Sequence, residues 1–159
     1  MSIQKIYKVI GIMSGTSMDG VDISFIETNG ENYASIICEK SYDYSNNYKI
    51  KLIKLINQIN LYRINNKKKI DDDFITNKFI SFIKKFIKEK SISKDIIDFI
   101  GFSGQTIVHD PKNRISIQLG SCKKIQKKLK IKIIGNFRDN DIKQGGEGAP
   151  IGAFYHKYI

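Results

Sequence analysis

The sequence predicts a single α/β domain built on a mixed β-sheet with flanking helices. It begins with short apolar strands joined by tight turns, and two amphipathic helical segments follow them. Further strand segments separated by a helix come next, and strands that alternate with helices favour parallel pairing. At 159 residues, the chain has the length of one domain with a substantial core.

The first three strands are predicted at residues 6–13, 21–28 and 33–40. Apolar and polar residues alternate in the second of these segments, as expected for a half-buried strand. Asn29-Gly30 is a strong hairpin signal between the second and third strands. The three strands are therefore expected to form an antiparallel meander.

Two helices are predicted after this meander, from about Tyr48 to Leu61 and from Asp71 to Lys90. Polar segments at 41–47 and 60–69 are interpreted as loops. Acidic residues begin the second helix and lysines end it, which suits the helix dipole. The apolar residues near helical spacing are Ile50, Ile53, Ile56 and Ile59 in the first helix, and Phe74, Phe79, Phe82, Ile83 and Phe86 in the second. Each helix is expected to pack this face on the sheet and expose its lysines.

The second half of the chain predicts three more strands, one helix and the start of another at Ala149-Pro150, since proline is tolerated in the first turn of a helix. A buried strand at 96–102 is expected to end at a glycine-containing turn, and an alternating strand follows at 114–119. Ser121 is a candidate N-cap for a helix at 122–129, because a serine hydroxyl can accept from an unpaired N–H of the first turn. A strand at 130–135 completes the prediction.

The composition is that of a globular protein, with 41% hydrophobic and 27% charged residues. The formal net charge of +11 raises the possibility of a nucleic-acid partner. The chain contains only three arginines, Arg63, Arg114 and Arg138, and its lysines are scattered. Because arginine is the preferred residue for bidentate phosphate and base contacts, we expect no nucleic-acid partner.

The two cysteines, Cys38 and Cys122, lie far apart in the sequence and have no metal-binding spacing. They fit a reduced, cytoplasmic compartment, and Cys38 lies in an apolar stretch that predicts a small core residue. No signal peptide is expected, and no apolar run reaches the roughly 18 residues of a membrane span.

The segment Ser14-Gly15-Thr16-Ser17-Met18-Asp19-Gly20-Val21-Asp22 connects the first two predicted strands. Its glycines permit close approach of the backbone to a ligand, and successive turn N–H groups can attract an anion. Such a loop can hold nucleotide phosphates, although it lacks the Gly-Lys-Ser/Thr of a Walker A loop. The alternative is an ordinary hairpin turn, since Gly, Asp and Ser dominate turns generally.

Three motifs together resemble those of the anhydro-N-acetylmuramic acid kinases. They are Met13–Asp22, Gly101–His109 (GFSGQTIVH) and Asn136–Pro150 (NFRDNDIKQGGEGAP). They follow the family's order, and the resemblance spans the whole chain. It implies an actin-like, ribonuclease-H-type domain at residues 1–159, the first half of a two-domain sugar kinase. The second domain is expected after Ile159.

The resemblance implies an ATP-binding loop and a dependence on Mg²⁺. The residues assigned to ATP are Gly15, Thr16, Ser17, Met18, Asp19, Gly20, Val21 and Asp22. Asp19 and Asp22 are candidates to orient the loop or to reach Mg²⁺ through water, and no direct metal ligand is assigned. Asp19 has an equally common alternative role, which is to cap its own turn.

The substrate-binding residues implied by the resemblance are Gln105, Thr106, Arg138 and Asp141. The first two carry the donors and acceptors that sugar hydroxyls require, and Arg138 suits a carboxylate or a phosphate. His109 follows nearby, but a lone histidine is more often structural than catalytic. Three residues, Ser103, Asn136 and Glu147, depart from the family's usual histidine, aspartate and glutamine.

Members of the family use ATP and water to convert 1,6-anhydro-N-acetylmuramic acid to N-acetylmuramic acid 6-phosphate. The resemblance places the base that activates the water in the second domain, so neither Asp98 nor Asp110 is assigned that role. We therefore expect this chain alone to be inactive. The resemblance also implies a small-molecule substrate, and it allows a homodimer of the full-length protein. A non-catalytic remnant or binding module is the alternative, and an RNA-binding domain ranks last.

Overall fold

The computed structural model describes residues 5–65, 72–113 and 115–148. Its six-stranded sheet has the order β3-β2-β1-β4-β5, with β6 paired to β4. The strands are β1 (Tyr7–Ser14), β2 (Gly20–Thr28), β3 (Ala34–Asp43), β4 (Phe99–Asp110), β5 (Ile115–Leu119) and β6 (Ile133–Gly135). The α-helices are α1 (Asn46–Asn65), α2 (Asp73–Glu89), α3 (Cys122–Leu129) and α4 (Phe137–Lys143).

The predicted meander is confirmed. β1 pairs antiparallel with β2, and β2 pairs antiparallel with β3. The Asn29 carboxamide oxygen accepts from the backbone N–H groups of Glu31, Asn32 and Tyr33, which orders the hairpin turn. Beyond the meander, β4 runs parallel to β1, and β6 runs parallel to β4. This mixed sheet with flanking helices confirms the predicted ribonuclease-H-type arrangement.

β4 is longer than the sequence predicts. The expected turn after Phe102 is wrong, because the strand continues to Asp110. Gly104 makes this possible with φ of +73°, and a Cβ there would lie 2.9 Å from the Leu119 carbonyl oxygen. The first half of β4 therefore pairs with β1 and β6, and its second half pairs antiparallel with β5.

The helix α2 supplies much of the core, as predicted. Phe79, Phe82, Ile83 and Phe86 are buried against the sheet, and the Phe79 ring meets Phe102 of β4 edge to face at 4.8 Å. The prediction began this helix at Asp71, which lies outside the described residues. Cys38 is half-buried and packs against the same core, in agreement with its predicted role.

The first helix is confirmed, and Ile56 and Ile59 face the core as predicted, but the first half of its predicted apolar face and its end are wrong. Ile50 and Ile53 are exposed, whereas Leu52 and Ile59 are buried. Since a helix turns about 100° per residue, a constant spacing of three drifts around the axis, and Ile50 lies opposite Ile59. Residues 60–65, predicted as loop, continue the helix, and 66–69 lie outside the described residues.

Short elements complete the fold. The predicted strand at 114–119 and helix at 122–129 are confirmed, and the Ser121 side chain accepts from the Lys124 N–H as the predicted N-cap. The strand predicted at 130–135 is shorter, because Lys130 takes the left-handed conformation at the end of α3. The helix α4 is not among the predicted elements.

Replacing Phe79 by alanine should reduce the free energy of unfolding by about 3–5 kcal/mol, the typical cost of emptying a phenylalanine site in a core. Phe79 is 1% exposed and contacts both α2 neighbours and β4. Chemical denaturation followed by circular dichroism measures the loss. The matched control is Ile50→Ala on α1, where the side chain is 52% exposed, and it should change stability little. Equal losses in the two variants would contradict the described core.

Candidate functional site

A cavity of about 770 Å³ lies where β1 and β4 approach their carboxyl ends. In open α/β sheets this is the usual location of a ligand. Residues from all three sequence motifs line it: 11–16 from β1 and its loop, Gly101, Ser103, Thr106 and His109 from β4, Gln118 from β5, and Phe137, Arg138 and Gly148 from the third motif. The fold therefore brings three distant segments of the sequence to one site.

The floor of the cavity carries no side chains at its centre. Gly11 of β1 and Gly101 of β4 are paired in register on adjacent strands. A Cβ at Gly11 would meet nothing within 4 Å, and one at Gly101 would come 3.9 Å from the Phe137 ring. The two glycines leave room for a ligand directly on the sheet, and Phe137 forms an aromatic wall beside it.

The loop after β1 presents two hydroxyl side chains. Thr16 and Ser17 are exposed, and neither makes a hydrogen bond with another described residue. The turn is closed by a 3.3 Å hydrogen bond from the Met18 N–H to the Gly15 carbonyl, with Met18 at φ of +57°. Thr16 lines the cavity. The loop thus offers unpaired N–H and O–H donors at one end of the cavity, which suits an anion.

The later residues of the same motif contribute to the fold. Val21 is 2% exposed within the core, and Met18 packs against that core. The Asp22 carboxylate lies in β2, where it accepts a 2.6 Å hydrogen bond from the Ser41 hydroxyl of β3. A Cβ at Gly20 would overlap the Tyr42 carbonyl oxygen. Gly20 is therefore required for close pairing of β2 with β3.

Asp19 is the exposed carboxylate of the loop. Its side chain is 73% accessible and lies 3.4 Å from the Lys49 ammonium of α1. Among the described residues, the Asp19 side chain makes no hydrogen bond within its own turn and contacts Lys49 instead. The alternative prediction, that Asp19 caps its turn, is therefore wrong. The Asp19 carbonyl accepts a 2.8 Å hydrogen bond from the Tyr44 N–H, which ties the end of the loop to the chain after β3.

A buried polar cluster lies directly beneath the loop. Gln105 is fully buried, and its Nε2 donates to the Gly15 carbonyl at 2.8 Å. Its Oε1 lies 3.1 Å from the donating Tyr44 hydroxyl and 2.7 Å from the Ser14 hydroxyl. The Ser14 oxygen is also 2.9 Å from the Gly20 carbonyl. Both ends of the loop thus contact side chains of one cluster.

Burial raises the pKa of Tyr44 above its ordinary value, and the hydrogen bond with Ser14 lowers it by a smaller amount. The Tyr44 hydroxyl therefore stays protonated at neutral pH and remains a donor. Buried polar groups are stable only when they are paired, and here the amide of Gln105 uses both its oxygen and its nitrogen.

The third motif places one cation at the cavity. Arg138 of α4 is half-buried, lines the cavity and donates to the Gly148 carbonyl at 3.0 Å. The Asp141 carboxylate accepts a 2.6 Å hydrogen bond from the Gly148 N–H, and a Cβ at Gly146 would overlap that carboxylate. Asp141 thus orders the glycine-rich loop. The helix predicted to start at Ala149-Pro150 lies outside the described residues.

Two residues of the second motif face the cavity with polar groups. Thr106 is 5% exposed, and His109 is exposed with its Nδ1 3.4 Å from the Ser116 hydroxyl. The Ser103 hydroxyl donates to the Ile12 carbonyl at 3.1 Å. The structure therefore brings together Gly15, Thr16, Thr106 and Arg138, four of the predicted site residues, and adds His109.

Sequence reasoning missed Tyr44 and Phe137. Tyr44 lies in a segment predicted as loop, and nothing in its neighbours signals a partner for Gln105. Phe137 lies inside the third motif, and its position before Arg138 is the available signal.

Within the described ranges, no group of three His, Cys, Asp or Glu side chains is placed to hold a metal ion. No helix in those ranges has the length and apolar character needed to cross a membrane.

Comparison with known proteins agrees with the resemblance of the three motifs. Residues 7–159 match the family described as anhydro-N-acetylmuramic acid kinase. A relative with that name from Pelagibacter ubique (strain HTCC1062) is 36% identical over 158 residues, and the match covers 98% of this chain and 42% of the relative. One from Zymomonas mobilis is 36% identical over 160 residues, covering 92% and 42%.

A solved structure titled "Structural Study of the Aquifex aeolicus PPX-GPPA enzyme" aligns with 84% of this chain and 37% of its own, at 13% identity and a TM-score of 0.31. That similarity is too low to support an inference. The chain spans about two fifths of the length of the curated relatives it matches. Since the family match extends from residue 7 to residue 159, the chain belongs to the anhydro-N-acetylmuramic acid kinase family.

Proposed function

We propose that this chain is part of a kinase that phosphorylates 1,6-anhydro-N-acetylmuramic acid with ATP and opens the anhydro ring with water. The product is N-acetylmuramic acid 6-phosphate, and the setting is cytoplasmic recycling of cell-wall amino sugars. The observation that carries the proposal is the single cavity lined by all three family motifs, with Thr16 on the loop after β1 and Arg138 on α4. Phosphoryl transfer requires such positioning of two substrates more than it requires covalent chemistry.

ATP is assigned to the loop after β1. Thr16 and Ser17 have unpaired hydroxyl groups, and a Cβ at Gly15 would make only ordinary contacts, the nearest 3.6 Å from the Ser17 hydroxyl. Their backbone N–H groups are free to bind phosphate oxygens. Mg²⁺ bound to ATP would neutralise developing charge on the phosphates, and we assign its water ligands to Asp19, the exposed carboxylate of the loop. Gly20, Val21 and Asp22 support this loop through the sheet.

The amino sugar is assigned to the rest of the cavity. The guanidinium of Arg138 is the cation available for the lactyl carboxylate, and it keeps donors beyond its bond to Gly148. Thr106 and His109 offer polar groups to sugar hydroxyls. The predicted contact of Gln105 with the sugar stays a prediction, since its amide faces the loop here. Asp141 acts on the sugar site through the glycine-rich loop that it orders.

The base that activates water is proposed to lie outside the described residues. No carboxylate among those residues lines the cavity, and Asp98 accepts instead from the Lys8 N–H at 2.8 Å. The same observation favours the alternative, a non-catalytic binding module. Changes at Ser103, Asn136 and Glu147 from the family's usual residues point the same way, and turnover by the complete gene product separates the two.

Replacing Gly15 by valine in the complete gene product should raise the KM for ATP at least tenfold without a change in stability. In the free protein a Cβ at this position makes only ordinary contacts, so we expect the penalty to arise when phosphate approaches. Steady-state kinetics and urea unfolding measure the two effects.

The matched variant is Gly20→Ala, whose Cβ overlaps the Tyr42 carbonyl, and it should reduce stability by roughly 1–3 kcal/mol. If Gly15→Val lowers stability as much as Gly20→Ala and leaves the KM for ATP unchanged, the loop is a structural turn alone.

Thr16→Ala should weaken ATP binding or turnover about ten- to a hundredfold, because a hydrogen bond to a charged group contributes roughly 1.5–3 kcal/mol. Ser35→Ala on β3 removes another exposed hydroxyl away from the cavity and serves as the control. Isothermal titration with ATP and Mg²⁺ gives the affinities. Equal affinities for the two variants would place the phosphates elsewhere.

Residues 1–159 assayed alone should produce no N-acetylmuramic acid 6-phosphate above the no-enzyme control. The described residues place no carboxylate in the cavity, and loss of a general base together with positioning costs many powers of ten in rate. Mass spectrometry of the reaction mixture provides the measurement. Turnover by this chain that depends on added ATP would show that its own residues complete the active site.

A further inference from the structure

We infer that Gln105 is a positioning residue for the phosphate-binding loop, which it holds through the carbonyl of Gly15. The inference rests on the proposed function for the identity of the ligand, and on contacts for the positioning itself. The amide bonds from Nε2 to Gly15 and receives bonds at Oε1 from Ser14 and Tyr44. This role differs from contact with a sugar, which the family motif implies.

The burial of Gln105 distinguishes positioning of the loop from contact with a sugar. Gln105 has no exposed surface, and it is absent from the residues that line the cavity, although its neighbour Thr106 lines it. Its Nε2 carries two hydrogens, which are directed to the carbonyls of Gly15 and Thr106 at 2.8 and 3.3 Å. Its Oε1 can accept two hydrogen bonds, and the hydroxyl groups of Ser14 and Tyr44 donate one each. The amide has no hydrogen-bonding capacity left for a ligand in this conformation.

The geometry explains why the loop needs such a support. β1 ends at Ser14, and β2 begins at Gly20, so five residues must reverse the chain while they present donors outward. Carbonyl oxygens that turn inward need buried partners, because an unpaired buried carbonyl is costly. Gln105 supplies the partner for the Gly15 carbonyl, and the Tyr44 N–H supplies the partner for the Asp19 carbonyl.

The positioning also links two strands. Ser14 and Gln105 are paired in the parallel register of β1 and β4, where the register shifts between Ile12 and Ser14. That irregularity turns the Ser14 and Gln105 side chains into the interior beneath the loop, where they are 4% and 0% exposed. A ligand that displaces the Gly15 carbonyl would therefore also displace Gln105 of β4. Thr106 and His109 of the same strand line the part of the cavity assigned to the sugar.

The test replaces Gln105 by methionine, which keeps the length of the side chain and removes its donors and acceptor. Amide hydrogen exchange of Met18, whose N–H donates to the Gly15 carbonyl, should accelerate roughly ten- to a hundredfold in the 159-residue chain, the effect of leaving buried partners unpaired. In the complete gene product the KM for ATP should rise by a similar factor, while the KM for the sugar changes less than threefold.

Two further variants control for general destabilisation and for partial loss. Thr76→Val on α2 removes a buried hydroxyl that accepts from the Ser121 N–H at 3.0 Å, and it should leave exchange in the loop unchanged. Tyr44→Phe removes one bond to Oε1 and keeps the bond to Gly15, so loop exchange should rise less than threefold.

Loop exchange in Gln105→Met that equals that of the wild type, or of Thr76→Val, overturns the positioning role whatever the kinetics show. Faster exchange with an unchanged KM for ATP supports the positioning of the loop and contradicts its assignment to ATP. A KM for the sugar that rises alone, with loop exchange unchanged, overturns the inference and returns Gln105 to the sugar site.

Discussion

The parallel pairing of β1 with β4 is the constraint on which the rest of this structure depends. It sets Gly11 beside Gly101 and Ser14 beside Gln105, residues separated by about ninety positions in the sequence. A slip of one residue would exchange the two faces of a strand, so that Ile10 would enter the cavity and a glycine would enter the core. The hydrophobic pattern of the strands therefore fixes the geometry of the site.

In that register, one face of the sheet packs in the hydrophobic core and the other lines the cavity. One face buries isoleucine and phenylalanine against α2, and the dense packing holds the strands rigid. On the other face the neighbouring glycines keep the floor bare, while α4 adds Phe137 and Arg138 at its side. The loop after β1 stands at one end of this floor, held from below by Gln105. The proposed phosphate donors and sugar contacts thus belong to one framework.

Local patterns in the sequence predict most of the elements, and the failures have identifiable causes. The alternating strands and the phenylalanine face of α2 follow from periodicity, and Ser121 follows from capping chemistry. Half of the predicted face of α1 was missed because evenly spaced isoleucines do not follow the helical period. The length of β4 depends on Gly104 meeting β5, a contact between distant segments. The partners of Gln105 were missed for the same reason, since Tyr44 reaches it only in the fold.

We propose that the loop after β1 binds the phosphates of ATP at the cavity shared by the three motifs. Nuclear magnetic resonance of the ¹⁵N-labelled complete gene product, titrated with a non-hydrolysable ATP analogue and Mg²⁺, tests it most directly. The amide signals of Thr16 and Ser17 should shift first and saturate with the ligand, and those of exposed residues on β3 should stay in place. Saturable shifts confined to other parts of the chain, with Thr16 and Ser17 unmoved, would contradict it.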